Sequence, residues 1–222
     1  MSFLSQRYAR TDPGQLEPQV AYTKWAESYP PRAHNALMRV EQSAMETSLR
    51  SLSVSRALDV GTGTGRYLDV LDDARVPTRV GLDLSEAMLA RARRGARPLV
   101  RSDACALPFA SGAFDLVLAS LMVGDIKGLA SWAREMSRVL RSGGSLLYSD
   151  FHPIWVERGW QRTFRTEDGV SWNVSYHPHT LEEHRVALKR ADLRIVSTTE
   201  PLLEDVCDGP ACVVILARKP GA

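Results

Sequence analysis

Three glycines at alternate positions are the first feature of this chain that points to chemistry. The stretch ALDVGTGTGRYLDV (57–70) places Gly61, Gly63 and Gly65 after a short apolar run with a strand pattern, and a helical pattern follows. Glycine tolerates backbone angles that other residues avoid and lets a ligand approach the chain, so the loop indicates a binding turn. The alternative is a tight strand-to-helix turn that binds nothing.

The spacing of these glycines narrows the choice of ligand. Dinucleotide-binding loops follow the order G-x-G-x-x-G, whereas here the third glycine comes one residue earlier and Arg66 follows it. Asp59, just before the loop, brings a negative charge that disfavours a diphosphate and favours a cation. The loop therefore predicts a ligand other than a nicotinamide dinucleotide.

Two further acids end later strand-like segments. Asp83 ends TRVGLDL, where a carboxylate can accept hydrogen bonds from both hydroxyls of a ribose. Asp103 ends RPLVRSD, where it can accept a hydrogen bond from an exocyclic amine such as that of adenine. Each acid alone is equally well explained as a helix cap or a loop residue. Together with the glycines, acids at successive strand ends indicate a nucleoside-containing ligand.

The candidates for a general base are histidines, which titrate near neutral pH. His152 is the first choice, because it follows a central strand and precedes Pro153, which should fix its position. His177, His179 and His34 are the other candidates. The alternative for each is a hydrogen-bonded loop histidine or an exposed residue at the end of a hairpin.

Aromatic residues are dense in the segment that follows. Asp168-Gly169 lies between RTFRT and VSWNVSY, which predicts a β-hairpin. The aromatic side chains either wall a pocket for a planar or hydrophobic substrate or form the small core of that hairpin. They are Trp155, Trp160, Phe164 and Trp172.

The elements that must position these residues alternate between strand and helix. RALDV, TRVGLDL, RPLVRSD, AFDLVLAS and SLLYSD have strand patterns, and helical patterns separate them. Ser85 is a candidate N-cap, Gly143-Gly144 breaks the helix GLASWAREMSRVL, and Thr180 and Glu183 are spaced as a capping box. With the closing strands LRIVSTTE and CVVILAR, this order predicts an α/β fold. We expect a doubly wound, mostly parallel seven-stranded sheet with helices on both faces, plus a β-hairpin cap after strand five.

Composition argues against several classes of function. The chain has 28 basic and 26 acidic residues and a net charge of +2, so no nucleic-acid partner is expected. The basic run RARRGAR (91–97) is expected to be a solvated helix end. Cys105, Cys207 and Cys212 match neither a disulfide framework nor a zinc site, and no metal is expected.

Membrane segments are not expected either. No apolar stretch approaches the ~18 residues of a membrane span, and the first ten residues lack the apolar core of a signal peptide. A cytoplasmic protein without a membrane partner is therefore the expectation.

Four segments resemble, in order, the successive motifs of class I S-adenosylmethionine-dependent methyltransferases. They are LDVGTGTG, VGLDLSEAML, SDACALPFASGAFDLVLAS and EMSRVLRSGGSLLYSD, and they cover roughly residues 55–150. The sequence is similar to the small-molecule enzymes of the ubiquinone and menaquinone biosynthesis type and to their relatives in secondary metabolism. The resemblance implies a Rossmann-like fold, S-adenosylmethionine as cofactor, and methyl transfer to an O, N or C nucleophile of a small-molecule acceptor. It leaves a homodimer open.

The resemblance also implies roles for individual residues. Asp59 would meet the ammonium group of the cofactor, directly or through water, and Asp83 would hold the ribose hydroxyls. The other implied contacts are to the methionine and ribose part (Gly61, Thr62, Gly63, Gly65 and Ser120) and to the adenine (Leu84, Met88, Asp103 and Ala104). Tyr22, Trp25 and Tyr29 would close over the cofactor, with simple packing as the alternative.

The chain is expected to form a single domain of 222 residues in four parts. These are an N-terminal helical cap segment (1–50) that begins with a loose arm over 1–20, a cofactor-binding core (55–150), a substrate-cap insert (151–180) and a closing helix with strands (181–222). Two rival functions remain. One is a cofactor-binding module without catalysis, and the less favoured one is an NAD(P)-dependent oxidoreductase.

Overall fold

The fold is built from short strands and helices that alternate along most of the chain. The computed structural model describes residues 14–92, 97–203 and 209–221. In chain order its elements are β1 (Gln15–Leu16), α1 (Pro18–Trp25), α2 (Ala36–Leu49), β2 (Arg56–Val60), α3 (Arg66–Asp73), β3 (Thr78–Asp83), α4 (Glu86–Ala92), β4 (Leu99–Arg101), β5 (Phe114–Ser120), a 3-10 turn (Val123–Asp125), α5 (Leu129–Val139), β6 (Leu140–Phe151), α6 (Ile154–Glu157), β7 (Thr163–Arg165), β8 (Ser171–Val174), α7 (Leu181–Arg190), β9 (Arg194–Thr199) and β10 (Cys212–Arg218).

A seven-stranded sheet in the order β4-β3-β2-β5-β6-β10-β9 is the centre of the molecule. Strands β4, β3, β2, β5 and β6 are parallel, whereas β10 is antiparallel to both of its neighbours. The chain runs outward from β2 through β3 to β4 and then crosses back to β5 on the other side of β2. The predicted mostly parallel, doubly wound sheet is confirmed.

Alternating side chains bury both faces of this sheet. Leu58 and Val117 point to the face that α5 and α7 cover, while Ala57 and Leu116 point to the face that α2 and α3 cover. Since successive strand residues face opposite sides, a sheet with helices on both faces needs continuous apolar runs such as LVLA in β5.

Helix α2 buries a stripe that includes a charged residue. Asn35 caps the helix by accepting a hydrogen bond from the Met38 backbone N–H at 2.8 Å. The apolar residues Leu37, Val40 and Ala44 are only partly buried. The fully buried positions are Met38, Glu41, Met45 and Leu49. A glutamate therefore lies in the stripe that packs on the sheet.

Residues 15–20 do not form the expected loose arm. Gln15 and Leu16 form β1, and α1 begins at Pro18. Proline suits the first turn of a helix because it lacks an N–H and has a fixed φ. The first part of the predicted arm lies outside the described residues.

Two local expectations also need correction. Helix α5 ends at Val139 because Leu140 already pairs with Phe114 as part of β6, so Gly143-Gly144 lies within the strand and does not break the helix. In the basic run, Arg97 is mostly buried and pairs with Asp69 and Asp72 of α3 instead of being solvated. The middle of that run and Cys207 lie outside the described residues, and Cys105 and Cys212 are free thiols.

A second, smaller sheet joins distant parts of the chain. The predicted hairpin is present as the antiparallel pair β7–β8, and β1 adds to it in parallel, in the order β1-β8-β7. Ala21 of α1 packs with Phe164 and Val174 in a separate apolar cluster, against which Trp25 and Trp172 also pack. We call residues 15–25 and 163–174 the cap. Within the described ranges, none of the helices has the length and apolar character needed to span a bilayer.

The predicted capping box is present at the start of α7, which covers one face of the sheet. The Thr180 side chain accepts from the Glu183 backbone N–H at 3.2 Å, and the Glu183 carboxylate accepts from the Thr180 backbone N–H at 2.7 Å.

Thr180→Ala should therefore lower the free energy of unfolding by about 1 kcal/mol, because it leaves a helix-terminal N–H without its partner. Urea denaturation measures this loss. Thr198→Ala, on the exposed strand β9, is the matched control and should change stability by less than about 0.5 kcal/mol. Equal losses in the two variants would contradict the capping role.

Candidate active site

The carboxyl ends of β2, β3, β5 and β6 meet at one edge of the large sheet, and a cavity of about 630 Å³ lies there. This volume is within the ~300–1,000 Å³ range of small-molecule pockets. The strand order reverses between β2 and β5, which is where ligands bind in open α/β sheets. The cavity is the candidate active site.

The glycine loop after β2 forms one wall of this cavity. Gly61, Gly63 and Gly65 have φ of 68°, 55° and 87°, a left-handed backbone region that side chains strain. A Cβ on Gly61 would lie 2.8 Å from Met122, whereas a Cβ on Gly63 would meet nothing within 4 Å. Gly61 and Gly63 line the cavity, and Gly65, which lies close to Ala92 of α4, does not.

Asp83, at the end of β3, is held against this loop. Its two carboxylate oxygens accept from the backbone N–H groups of Gly63 and Ser85, each at 2.8 Å. Burial raises the pKa of Asp83, although these backbone donors partly offset it. The side chain lines the cavity, so a hydroxyl donor of a ligand can reach it.

Asp103 lies two residues beyond β4, at the cavity rim. It is exposed, and its Oδ1 accepts from the Cys105 backbone N–H at 2.7 Å, which is the local loop contact considered as the alternative. Asp103 and Ala104 both line the cavity, together with Leu84 and Met88. Leu84 is 42% exposed, so one large apolar side chain faces open space at this rim.

Asp59 lies beneath the loop instead of facing the cavity. Its Oδ2 accepts from the Thr62 hydroxyl at 2.6 Å, and both residues are buried. Burial raises the pKa of Asp59 to about 7, while the Thr62 hydroxyl and Arg66 oppose the shift. Neither residue is among the described residues that line the cavity, so Asp59 has no direct contact with that space.

The three N-terminal aromatic residues line the cavity together. Tyr22 stacks with Trp25 at a ring separation of 6.1 Å, and Trp25 meets Tyr29 edge to face at 4.8 Å. Trp25 also stacks on Phe164, which ties this wall to the cap. The rings therefore pack on one another, which was the alternative, and they also line the cavity over which they are expected to close.

A buried polar network next to the loop was not anticipated from the sequence. The Glu41 carboxylate accepts from Arg66 Nη1 at 3.0 Å and from the Tyr67 hydroxyl at 3.0 Å. It also accepts from the hydroxyls of Ser120 at 2.8 Å and Ser149 at 2.6 Å. Burial alone would lower the pKa of Arg66, but Glu41 outweighs it and the pKa is raised.

Arg66 and Ser120 from this network also line the cavity, where Arg66 Nη2 donates to the Ser120 hydroxyl at 2.7 Å. The sequence held one signal for it. Glu41 is the charged member of a helical stripe that otherwise contains Met38, Met45 and Leu49. A buried charge is costly unless it is paired, so a glutamate at position 41 predicts a contact with a cation from elsewhere in the fold.

The four aromatic residues after β6 divide between the two predicted roles. Trp155 and Trp160 line the cavity, whereas Phe164 and Trp172 pack inside the cap. Trp155 Nε1 donates to the Pro210 carbonyl at 2.7 Å, so the polar edge of its ring is already bonded. Phe151, at the end of β6, lines the cavity as well and packs 4.9 Å from Trp160.

The four candidate histidines divide between the cavity and contacts elsewhere in the protein. His152 is not among the described cavity residues: its Nδ1 faces the Ile154 N–H at 3.3 Å and its Nε2 faces the Glu200 carboxylate at 3.3 Å. His179 is buried, with Nε2 bonded to the Ile126 carbonyl. His34 and His177 line the cavity, and burial lowers the pKa of both. The geometry thus gives His152 no access to a bound substrate.

Comparison with known proteins gives a family match for the central part of the chain. Residues 58–148 match the family model described as a methyltransferase domain. A ubiquinone/menaquinone biosynthesis C-methyltransferase of Dinoroseobacter shibae is 35% identical over 150 residues, which are 62% of this chain and 57% of that protein. A malonyl-acyl-carrier-protein O-methyltransferase of Enterobacter lignolyticus is 37% identical over 118 residues, or 52% of this chain and 47% of that protein. The chain thus spans about half the length of these curated relatives.

Solved structures agree with the fold. The crystal structure of an S-adenosylmethionine-dependent methyltransferase from Mesorhizobium loti matches with a TM-score of 0.68 and 24% identity, covering 81% of this chain and 97% of that one. At this identity the match concerns the fold alone. With the family match, it confirms the resemblance expected from the four motifs.

The buried network generates a stability prediction. Glu41→Ala should lower the free energy of unfolding by roughly 3–5 kcal/mol, because it leaves the Arg66 guanidinium buried without its counter-charge. Denaturation in urea measures the loss, and the double variant Glu41→Met with Arg66→Met is the control. It should lose less than the sum of the single variants, since it removes both charges together. A loss from Glu41→Ala below about 0.5 kcal/mol would contradict the role of the pair.

Proposed function

We propose that this chain, whose residues 58–148 match a methyltransferase domain, transfers a methyl group from S-adenosylmethionine to an O, N or C nucleophile of a small-molecule acceptor. The observation that carries the proposal is the Asp83 carboxylate, which is fixed by Gly63 and Ser85 at the mouth of a glycine loop. The relatives support it, because one is a C-methyltransferase and the other an O-methyltransferase.

The residues at the loop fit the cofactor chemically. Gly63 leaves open space where any side chain would stand, so a ligand can approach the backbone there. Asp83 offers a carboxylate to the ribose hydroxyls. Leu84 offers exposed apolar surface to a planar ring. Arg66 and Ser120 bring positive charge and a hydroxyl to the place where the amino-acid carboxylate would lie.

In this proposal the sequence-based assignments that line the cavity become cofactor contacts. Tyr22, Trp25 and Tyr29 cover the cofactor, and Asp59 acts on its ammonium through the loop, in which Thr62 and Gly65 hold the backbone in place. The remaining contacts are Gly61, Gly63 and Ser120 to the methionine and ribose part, and Leu84, Met88, Asp103 and Ala104 to the adenine. The cap and the segment 151–180 would read the acceptor, while the core 55–150 holds the cofactor.

The reaction requires mainly that the acceptor atom, the methyl carbon and the sulfur are aligned. Bound S-adenosylmethionine supplies a methyl group on a positively charged sulfur, which an acceptor atom takes while the electron pair of the carbon–sulfur bond returns to sulfur. The aromatic walls exclude water and orient the acceptor, and positioning of this kind contributes up to roughly 7–11 kcal/mol. Where the acceptor keeps a proton at pH 7, His34 and His177 are the cavity histidines able to take it, because their lowered pKa keeps them uncharged.

Asp83→Ala tests the ribose assignment. Loss of a charged hydrogen-bond acceptor should weaken the binding of S-adenosylhomocysteine by roughly 10–100-fold. Isothermal titration calorimetry measures the affinity, with Asp168→Ala on the exposed hairpin turn as the matched control. NADH titrated into the same wild-type preparation should not bind. Unchanged affinity in Asp83→Ala would remove the ribose role, and binding of NADH alone would overturn the proposed function.

Asp59 predicts how cofactor affinity depends on pH. Its pKa of about 7 means that the carboxyl gains a proton as the pH falls below neutrality. The ammonium of S-adenosylhomocysteine favours the ionised form, so affinity should fall by up to about tenfold for each pH unit below that pKa. Asp59→Asn should bind more weakly at pH 8 and lose this dependence. The same pH slope in both proteins would contradict the role of Asp59.

A further inference from the structure

A buried ion pair lies in the part of the cavity wall that is not assigned to the cofactor. Asp125, in the turn after β5, and Arg162, just before β7, both line the cavity. Arg162 Nη1 lies 2.5 Å from Asp125 Oδ1, and the two side chains are only 9% and 11% exposed. The pair therefore joins the edge of the large sheet to the cap inside the cavity.

Aromatic rings surround the guanidinium of this pair. Arg162 lies 5.2 Å from the centre of the Phe151 ring and 5.3 Å from that of Tyr22, and it also donates to the Tyr22 hydroxyl. Trp160 packs on Phe151. Burial lowers the pKa of Arg162 to about 10, so the guanidinium stays charged at neutral pH. The contact between Arg162 Nη1 and Asp125 Oδ1 pairs this charge with a carboxyl group inside the cavity.

The other charged groups that line the cavity are also matched or already assigned, within the part of the chain that the structure describes. Arg66 pairs with Glu41, and Lys127 lies 3.9 Å from Glu17 at the mouth. Asp83 and Asp103 belong to the proposed cofactor contacts. The acceptor thus meets aromatic rings and a neutralised ion pair, with no unpaired cation among these residues.

An acceptor with its own charge would be penalised in such a place. A carboxylate would have to displace Asp125 from Arg162 or lie beside Asp125 unpaired, and burying an unpaired charge is costly. A flat uncharged ring avoids this cost and gains contact with Phe151, Trp155 and Trp160.

From these contacts we propose that the Asp125–Arg162 pair selects an uncharged aromatic acceptor and rejects aromatic carboxylates. This inference rests on the proposed function, because it takes the rest of the cavity as the cofactor site. Asp125 is the specificity-determining residue: it cancels the charge of Arg162, which would otherwise capture an anion.

Binding of matched ring probes tests the selection without any turnover. The protein is saturated with S-adenosylhomocysteine and titrated with 2-naphthol or 2-naphthoate, which share one ring system, while quenching of tryptophan fluorescence reports binding near Trp155 and Trp160. Wild type should bind 2-naphthol roughly tenfold or more tightly than 2-naphthoate. Equal or tighter binding of 2-naphthoate would overturn the proposal.

Removing one charge should weaken or abolish the preference. In Asp125→Asn the Arg162 guanidinium loses its counter-ion, so 2-naphthoate should gain at least about tenfold in affinity while 2-naphthol changes little. Glu182→Gln, which breaks the exposed pair with Arg185 on α7, is the control and should leave both affinities as in wild type. An unchanged ratio in a folded Asp125→Asn protein would overturn the role of the pair.

A second variant covers the case in which Asp125→Asn does not fold. The double variant Asp125→Leu with Arg162→Met replaces the pair by apolar side chains, an exchange that proteins often tolerate. It should still prefer 2-naphthol, and a gain for 2-naphthoate would contradict the proposal. The affinity for S-adenosylhomocysteine, measured separately, identifies which idea fails. If wild type does not bind S-adenosylhomocysteine, the proposed function is wrong. If wild type binds it but does not prefer 2-naphthol over 2-naphthoate, only this inference is wrong.

Discussion

The buried carboxylate of Glu41 is the constraint on which the rest of the site depends. It comes from helix α2, outside the core motifs, and accepts hydrogen bonds from Arg66 of α3, Tyr67, Ser120 at the end of β5 and Ser149 of β6. One side chain thus fixes four points around the glycine loop. Because a buried carboxylate is costly without partners, the position of α2 on the sheet and the orientation of Arg66 toward the cavity are determined together.

The place of the cavity follows from topology. Parallel strands bring their carboxyl ends to one edge, and the reversal of order beside β2 opens a crevice there. The glycines provide the backbone conformation that the turn after β2 requires. Left-handed backbone at Gly61, Gly63 and Gly65 turns the chain from β2 into α3 and directs the Gly63 N–H to Asp83. A wall of backbone and a single fixed carboxylate is what a polar nucleoside requires.

On the side of the cap, the walls of the cavity carry aromatic side chains. Strand β1 pairs with β8 although the two are far apart in the sequence, so the N-terminal aromatic residues and the hairpin form one unit. Arg162 connects that unit to Asp125 in the core. Polar recognition therefore comes from the sheet edge, while aromatic surface comes from the cap and the residues after β6. Residues 58–148, which match a methyltransferase domain, supply the sheet edge, and the curated relatives are matched over about half of their length.

Features that depend on local pattern could be predicted from the sequence. Alternating strand and helix signals, the glycine spacing, the Asp168-Gly169 turn and the Thr180 capping box are properties of short segments, and the structure contains them. Only the tertiary structure decided which side chains share the cavity. It placed Glu41 under Arg66, turned His152 toward Glu200, buried Asp59 beneath its loop and split the aromatic residues between cavity and cap. Those outcomes depend on contacts between segments far apart in the chain, and residue type and spacing within a segment carry no information about the partner that packing will supply.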